Sequence, residues 1–177
     1  ILITLITLKA YRLKRVLTFI NPWNDPKGAG FQIIQSLIAV GSGGLTGVGV
    51  ANSKQKFFYL PMQHTDFVFS IIAEETGFVG CFILILIYIT LFYLCFRLAL
   101  KVENIFCKFN ILGFTILTAL QTLINIFVTT GLAPTKGIGL PFISYGMSAI
   151  LCNLILVGVI INCVINEKEL EQLKSIS

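Results

Sequence analysis

The fold is decided by residues 76–96, which read TGFVGCFILILIYITLFYLCF and contain no charged side chain. Two further uncharged runs follow, Phe109–Thr135 and Gly137–Asn166. A helix needs roughly 20 apolar residues to cross a bilayer, so each run is long enough to span a membrane. Residues 1–8, ILITLITL, are interpreted as the end of an earlier span. The pattern predicts an all-α, polytopic membrane helix bundle with four crossings.

The composition agrees with a membrane protein and argues against two other classes. Of the 177 residues, 56% are apolar and only 12% are charged, which excludes a water-soluble globule and low-complexity disorder. The net charge of +5 must be concentrated in loops, which favours anionic lipid or phosphate as a partner over nucleic acid. The five cysteines show no CxxC or His-rich spacing, so we predict neither a disulfide framework nor structural zinc.

Residues 28–53 form another uncharged run, but its composition is unlike that of a span. Seven glycines lie within it, together with Gln32, Gln35 and Ser36. The first part predicts an amphipathic helix with Phe31, Ile34, Leu37 and Ile38 on one face, lying on the membrane surface or packed into the protein. The second part, GSGGLTGVGV at 41–50, predicts a glycine-rich loop whose backbone N–H groups are available to an anion.

The charges flanking the spans predict the topology. Arg97, Lys101 and Lys108 favour a cytoplasmic short loop, and the basic residues of the long loop weigh less because the positive-inside rule weakens with loop length. The chain is therefore interpreted as a single membrane domain, the carboxy-terminal part of a longer protein. Its predicted segments are a helix end at 1–8, a long extracytoplasmic loop with short amphipathic helices at 9–66, transmembrane helices at 67–96, 109–131 and 145–166, a cytoplasmic loop at 97–108, an extracytoplasmic loop at 132–144 and a cytoplasmic tail at 167–177.

Asp66 lies at the mouth of the second span, in HTD, and has two interpretations. A carboxylate at a membrane boundary is a candidate functional residue, but HTD before an apolar run is also an ordinary helix N-cap. Glu74 and Glu75 lie two turns further along. Buried hydrogen bonding to another helix is the simpler explanation for them, and a proton relay in a transporter is the alternative.

Lys136 is the one charge in GLAPTKGIGLPFISYG, which follows the third span on the same side as Asp66. Proline and glycine at this density predict a re-entrant or surface loop. The lysine either extends to the membrane surface or faces a phosphate. Asp66 and His64 would then lie on one membrane face with several cations, which suits a lipid-anchored diphosphate substrate. Those cations are Lys136, Lys54, Lys56, Arg12, Lys14 and Arg15.

Three blocks of the sequence resemble the SEDS family (shape, elongation, division and sporulation), and PTKG favours its cell-division branch over its elongation branch. The blocks are RVLTFINPWNDPKGAGFQIIQSLIAVGSGGLTGVGVANSKQKFFYLP, HTDFVFSIIAEETGFVG and GLAPTKGIGLPFISYG. The resemblance implies a peptidoglycan glycosyltransferase of about ten transmembrane helices, which polymerises lipid II at the outer face of the bacterial cytoplasmic membrane. It also implies a class B penicillin-binding protein and other division proteins as partners. Two positions depart from the family pattern, Met62 for glutamate and Met147 for glycine.

The resemblance also assigns roles to residues. The family's essential aspartate falls on Asp66, which becomes the general base, and the lysine of the PTKG motif falls on Lys136, which becomes a stabiliser of the diphosphate leaving group. The cofactor is left open, with a divalent cation such as Mg²⁺ or Mn²⁺ as the candidate. The predicted substrate-binding residues are Lys136, His64, Thr65, Gln35, Ser36, Lys56 and Ser144.

Two other functions compete with the enzyme. A lipid II flippase or another transporter would use Asp66, Glu74 and Glu75 as a proton path, and a division scaffold would need none of these carboxylates. All three hypotheses share one fold, so they separate only on chemistry.

Overall fold

The computed structural model describes residues 18–26, 28, 30–53 and 66–176, with side chains in the last stretch described to residue 167. These residues include four α-helices and no strand. The predicted helix end at 1–8 and the parts of the long loop at 9–17 and 54–65 lie outside the described residues. The helices are α1 (Phe31–Ser42), α2 (Val68–Lys101), α3 (Ile105–Thr129) and α4 (Met147–Ile176), and a 3₁₀ turn covers Pro22–Asn24.

Three of these helices, α2, α3 and α4, are long and apolar enough to cross a membrane. The predicted all-α membrane bundle is therefore confirmed. The predicted loop at 97–108 is too long, because α2 continues to Lys101 and α3 begins at Ile105. Charge does not end this helix, since a long cationic side chain extends along its surface. The Arg97 guanidinium lies 5.8 Å from the centre of the Tyr93 ring, one turn back.

The carboxy-terminal segment also differs from the prediction of a span at 145–166 followed by a separate tail. Helix α4 continues to Ile176, because the tail sequence EKELEQLKS is rich in helix-forming residues and contains no breaker. Glu167 Oε1 accepts hydrogen bonds from the backbone N–H groups of Glu103 (2.6 Å) and Asn104 (3.3 Å). The connection between α2 and α3 is therefore fixed to α4.

The buried face of α1 is not the one that the 3,4 pattern predicts. Ile33, Ile34, Ser36 and Ala39 are buried, whereas the exposed side includes Leu37 and Ile38. The face turned inward carries a serine, which finds polar partners inside the bundle. Helix α1 therefore packs into the protein against α2 and α3, one of the two placements predicted for it.

Helix α2 is divided at Gly77, which has φ 66° and ψ −163°. A continuous helix of 34 residues would be about 51 Å long, well beyond a hydrocarbon core of about 30 Å. We call residues 68–76 the short half and residues 78–101 the long half. Buried side chains are concentrated in the short half, where they include Phe69, Ser70, Ile71, Ala73 and Glu74.

Candidate functional site

Asp66 lies against the loop that carries Lys136. A Cβ atom built on Gly137 would be 3.4 Å from Asp66 Oδ2, so the carboxylate is in contact range of the residue after the lysine. Asp66 is half-buried and Lys136 is exposed. The structure thus brings the predicted acid and the predicted cation to one end of the bundle. The interpretation of Asp66 as the N-cap is wrong by one residue, because Phe67 occupies that position.

Two amide side chains of α3 hold this arrangement. Asn125 Nδ2 donates to the backbone oxygens of Asp66 (2.9 Å) and Ile138 (2.8 Å). One turn earlier, Gln121 Nε2 donates to the backbone oxygen of Gly139 at 3.2 Å. The Lys136 loop is therefore fixed to α3 at two successive residues, and at one of them it is also tied to Asp66.

The far end of the loop is closed by Ser144 and Tyr88. Ser144 is buried, and its hydroxyl accepts a hydrogen bond from the Leu140 N–H at 2.6 Å. The Tyr88 hydroxyl on α2 donates to the Pro141 oxygen at 2.6 Å. Ser144 was predicted to bind substrate, but the structure places it inside the turn that shapes the loop.

Ser36 needs a similar correction. It was predicted to bind substrate, yet it is fully buried in the described structure. Its hydroxyl lies 2.6 Å from the Ser70 hydroxyl and donates to the Thr129 oxygen at 2.7 Å. Ser36 therefore joins α1, α2 and α3, and its hydroxyl is used in hydrogen bonds between these helices. The adjacent Gln35 is half-buried on α1.

The glycine-rich loop enters the break in α2. The Phe78 and Val79 N–H groups at the start of the long half donate to the oxygens of Gly44 (2.9 Å) and Leu45 (3.2 Å). In return, the N–H groups of two loop residues donate to the carbonyls that end the short half. These pairs are Val48 to Glu74 (3.0 Å) and Gly49 to Glu75 (3.1 Å). The predicted anion-binding donors at Val48 and Gly49 are thus used within the protein.

Glycine is required where the loop meets the helix. A Cβ on Gly47 would lie 2.1 Å from the Glu75 oxygen, and a Cβ on Gly77 would lie 2.4 Å from the Gly47 nitrogen. Both residues have positive φ, which strains any L side chain. Gly47 of the loop and Gly77 of the helix therefore allow close backbone contact.

Glu74 is buried beside the break and accepts a hydrogen bond from the Ser53 hydroxyl. This agrees with the structural explanation of the carboxylate, except that Ser53 follows the glycine-rich loop and does not belong to another helix. The bond ties the end of the loop to the short half. Residue 53 precedes the segment 54–65, which leads back to Asp66.

An apolar groove of about 320 Å³ lies between α2 and α3, below the Pro141 turn. Its lining is almost entirely apolar. Tyr88, one of the lining residues, binds Pro141 of the Lys136 loop. The groove is lined by Ile85, Tyr88, Ile89, Phe92, Ala119, Thr122, Leu123, Ile126 and Phe127.

Three predicted substrate-binding residues, His64, Thr65 and Lys56, lie outside the described residues. So do Lys54, Met62 and the cations Arg12, Lys14 and Arg15. Met147, which departs from the family pattern, begins α4 and is 83% exposed. Within the described residues, no group of three or more His, Cys, Asp or Glu side chains is arranged to hold a metal.

Sequence reasoning missed Asn125 and Gln121. Both interrupt an otherwise apolar span in QTLIN, and polar side chains in membrane helices usually face protein. That spacing places them one turn apart on one helix face, and this signal was enough to identify them as candidate site residues. Their partners were not predictable, because those are backbone atoms of distant segments.

Comparison with known proteins identifies the family. The family model described as "Cell cycle protein", which covers FtsW, RodA and SpoVE, matches residues 1–169. The chain belongs to this family. Among its members, stage V sporulation protein E of Bacillus subtilis (strain 168) is 49% identical over 152 residues, covering 86% of this chain and 42% of that protein. The probable peptidoglycan glycosyltransferase FtsW of Geobacter sp. (strain M18) is 47% identical over 158 residues, covering 89% of this chain and 43% of that protein.

A solved structure agrees with this assignment. The chain is similar to a protein in the work described as "Structural coordination of polymerization and crosslinking by a peptidoglycan synthase complex", with a TM-score of 0.68 and 35% identity. The match covers 91% of this chain and 44% of that chain. The chain therefore spans less than half the length of these relatives, and it is a multi-pass membrane protein of the FtsW, RodA and SpoVE family.

Proposed function

We propose that the protein containing this chain is a peptidoglycan glycosyltransferase that polymerises lipid II during cell division. The observation that carries the proposal is the position of the Asp66 carboxylate, whose Oδ2 would lie 3.4 Å from a Cβ built on Gly137, the residue after Lys136. Family membership and relatives named as probable FtsW glycosyltransferases support it. The Asp66 end of the bundle then faces outward, at the outer surface of the cytoplasmic membrane at the division site.

The two groups suit the two halves of a glycosyl transfer. Asp66, as general base, takes the proton of the sugar 4-hydroxyl while that oxygen bonds to the anomeric carbon of a second lipid-linked chain. The bond from that carbon to the diphosphate breaks, and undecaprenyl diphosphate leaves. Lys136, with its exposed ammonium group, offsets the negative charge that develops on the leaving group.

The surroundings of Asp66 fit the role of a base. The residue is half-buried, so the carboxylate is partly shielded from water and still reachable by a substrate. Its backbone oxygen is fixed by Asn125, which limits the directions that the side chain can take. A divalent cation remains a candidate cofactor, and no step of this mechanism depends on one.

The proposed partners are a class B penicillin-binding protein and other division proteins. Support for the first is the similarity to a member of a synthase complex that coordinates polymerization and crosslinking. Three helices are long and apolar enough to cross a membrane, and the lipid-linked substrate reaches the site from that membrane.

The test is polymerisation of labelled lipid II by the full-length protein with its penicillin-binding partner. We expect the native protein to make glycan chains and Asp66→Asn to make none. Removal of a general base costs typically 10²–10⁴-fold in rate. Glu103→Gln, which changes an exposed carboxylate at the opposite end of the bundle, is the matched control and should keep the native rate.

Other outcomes would contradict the proposal. Full activity in Asp66→Asn would remove the base from the mechanism. The transporter would be favoured if the native protein made no polymer but moved lipid II across vesicle membranes. Glu74→Gln would then have to abolish this transport. Recruitment of division partners by all variants without either activity would favour the scaffold.

A further inference from the structure

A stripe of buried polar residues runs along α3 toward Asp66, and one member behaves differently from the others. The threonines of the stripe donate their hydroxyl hydrogens to carbonyls of their own helix. Asn125 donates to two other segments of the chain. The threonines are Thr115, Thr118, Thr122 and Thr129.

The local bonds of the threonines are what stability alone favours. A polar side chain inside a membrane bundle is costly unless its hydrogen bonds are satisfied, and a bond to the preceding turn satisfies a hydroxyl without help from elsewhere. Asn125 is only 1% exposed, yet its Oδ1 has no hydrogen-bond partner among the residues that the structure describes. An unpaired buried acceptor costs about 1–3 kcal/mol. The position thus carries a stability cost that threonine would avoid.

The two carbonyls that Asn125 binds belong to the two parts of the proposed site. One is the backbone oxygen of Asp66, and the other is that of Ile138, two residues after Lys136. Since both oxygens bind one nitrogen, at 2.9 and 2.8 Å, a single side chain links the backbone of the acid directly to the loop.

We propose that Asn125 is a positioning residue of the glycosyl-transfer site, which sets the distance between the Asp66 carboxylate and the Lys136 loop. The inference rests on the proposed function. In a reaction that needs base, hydroxyl and leaving group aligned, a misplacement of about 1 Å costs on the order of 100-fold in rate. Asn125 touches neither substrate nor reacting atoms in this role and acts through Asp66 and the loop.

The chain offers a matched control in Gln121. It lies one turn away on the same helix and also donates its amide to the loop, at Gly139. Within the described part of the chain, the Gln121 amide donates to Gly139 and not to Asp66. Loss of Gln121 should loosen the loop alone, whereas loss of Asn125 should uncouple the loop from the acid.

The first readout is kinetic, with the full-length protein, its partner and lipid II. We expect Asn125→Leu to lower kcat roughly 100-fold while KM changes by less than about threefold, because the defect lies in alignment and not in substrate binding. Gln121→Leu should lower kcat by less than about tenfold. If Asn125→Leu does not fold, Asn125→Thr replaces it, since threonine suits the rest of the stripe. Native kcat in a folded Asn125 variant would overturn the proposal, as would equal losses in the Asn125 and Gln121 variants.

The second readout does not need activity, and so separates this proposal from the proposed function. A protein carrying both Asp66→Cys and Gly137→Cys should form a disulfide between these positions on mild oxidation, because a Cβ at position 137 would lie 3.4 Å from the end of the Asp66 side chain. Adding Asn125→Leu should slow crosslinking about tenfold, and adding Gln121→Leu should slow it by less than about twofold. Crosslinking that ignores Asn125 would overturn the positioning role even in an active enzyme. If no polymer forms but Asn125 controls crosslinking, the proposed function fails and the positioning survives.

Discussion

The two halves of α2 differ in what surrounds them. In the short half, residues 68–76, most side chains are buried, and its last carbonyls bind the glycine-rich loop. In the long half, residues 78–101, most large apolar side chains are exposed on the surface of the bundle, as Phe82 and Ile87 are. The long half alone spans about 36 Å, enough to cross a bilayer. A single apolar stretch of sequence therefore supplies a membrane-spanning helix after Gly77 and a buried helix before it. The buried helix positions Asp66 at its start.

The difference between the halves shows how a membrane helix can carry polar chemistry. A break within a span is tolerated only where the freed backbone groups find partners in protein. Here four hydrogen bonds to residues 44–49 supply those partners. The loop and the short half form one unit, and Asp66 lies two residues before the short half.

The largest effect is expected where this unit is most tightly packed. Gly47→Ala would place a methyl group 2.1 Å from the Glu75 oxygen at a φ of 78°. The strained φ costs about 1–2 kcal/mol and the overpacking about 1–3 kcal/mol more, so the unfolding midpoint should fall sharply. The measurement is the yield and thermal unfolding of monodisperse protein in detergent.

Gly41→Ala is the control for this prediction. Nothing lies within 4 Å of its added Cβ, and the position is inside α1, where alanine is favoured. It should be neutral or stabilise the protein by about 0.5–1 kcal/mol. Equal behaviour of the two variants would mean that the loop does not pack against the break.

An effect of similar size should separate the two halves directly. Ile71 in the short half is 6% exposed and Ile87 in the long half is 60% exposed. Ile71→Ala should destabilise the fold by about 2–5 kcal/mol because it leaves a cavity. Ile87→Ala, on the exposed surface, should change stability by about 0.5 kcal/mol or less. Unfolding by SDS titration measures both, and similar losses at both positions would remove the distinction between the halves.

The smallest effect concerns the tie between Ser53 and Glu74. Ser53→Ala removes a donor to a buried carboxylate and should cost about 1–3 kcal/mol. Ser42→Ala is the control, since the Ser42 hydroxyl donates to the Ala39 oxygen within its own helix. It should change stability by about 0.5 kcal/mol or less. A silent Ser53→Ala in the same SDS titration would show that the loop is held by its backbone alone.

Much of this architecture was predictable from the sequence. Long uncharged runs determine where spans lie, and five glycines within residues 41–50 predict an irregular loop there. The resemblance to the SEDS family identified Asp66 and Lys136 as the residues to examine, and the structure places them at one end of the bundle. These predictions rest on local composition and quoted motifs.

The remainder depends on contacts between distant segments. Ser36 looked available to a substrate, but its partners at Ser70 and Thr129 lie far away in the chain. Gly77 looked like an ordinary residue of an apolar run. The helix break at Gly77 depends on hydrogen bonds to the distant glycine-rich loop, which the local sequence does not indicate. Helix ends were also poorly predicted, because charged residues such as Lys101 remain helical at the edge of a membrane.

We conclude that the glycine-rich loop satisfies the backbone groups freed by the break in α2, and residue-resolved hydrogen exchange of the full-length protein tests this directly. Val48 is 43% exposed and lies outside the three candidate spans, so slow exchange of its amide would report its bond to Glu74 and not exclusion of water by lipid. We predict that the amides of Val48 and Gly49 exchange as slowly as those inside α1, and that Gly77→Ala removes this protection. Exchange of both amides at the rate of a freely solvated loop in the native protein would contradict the claim.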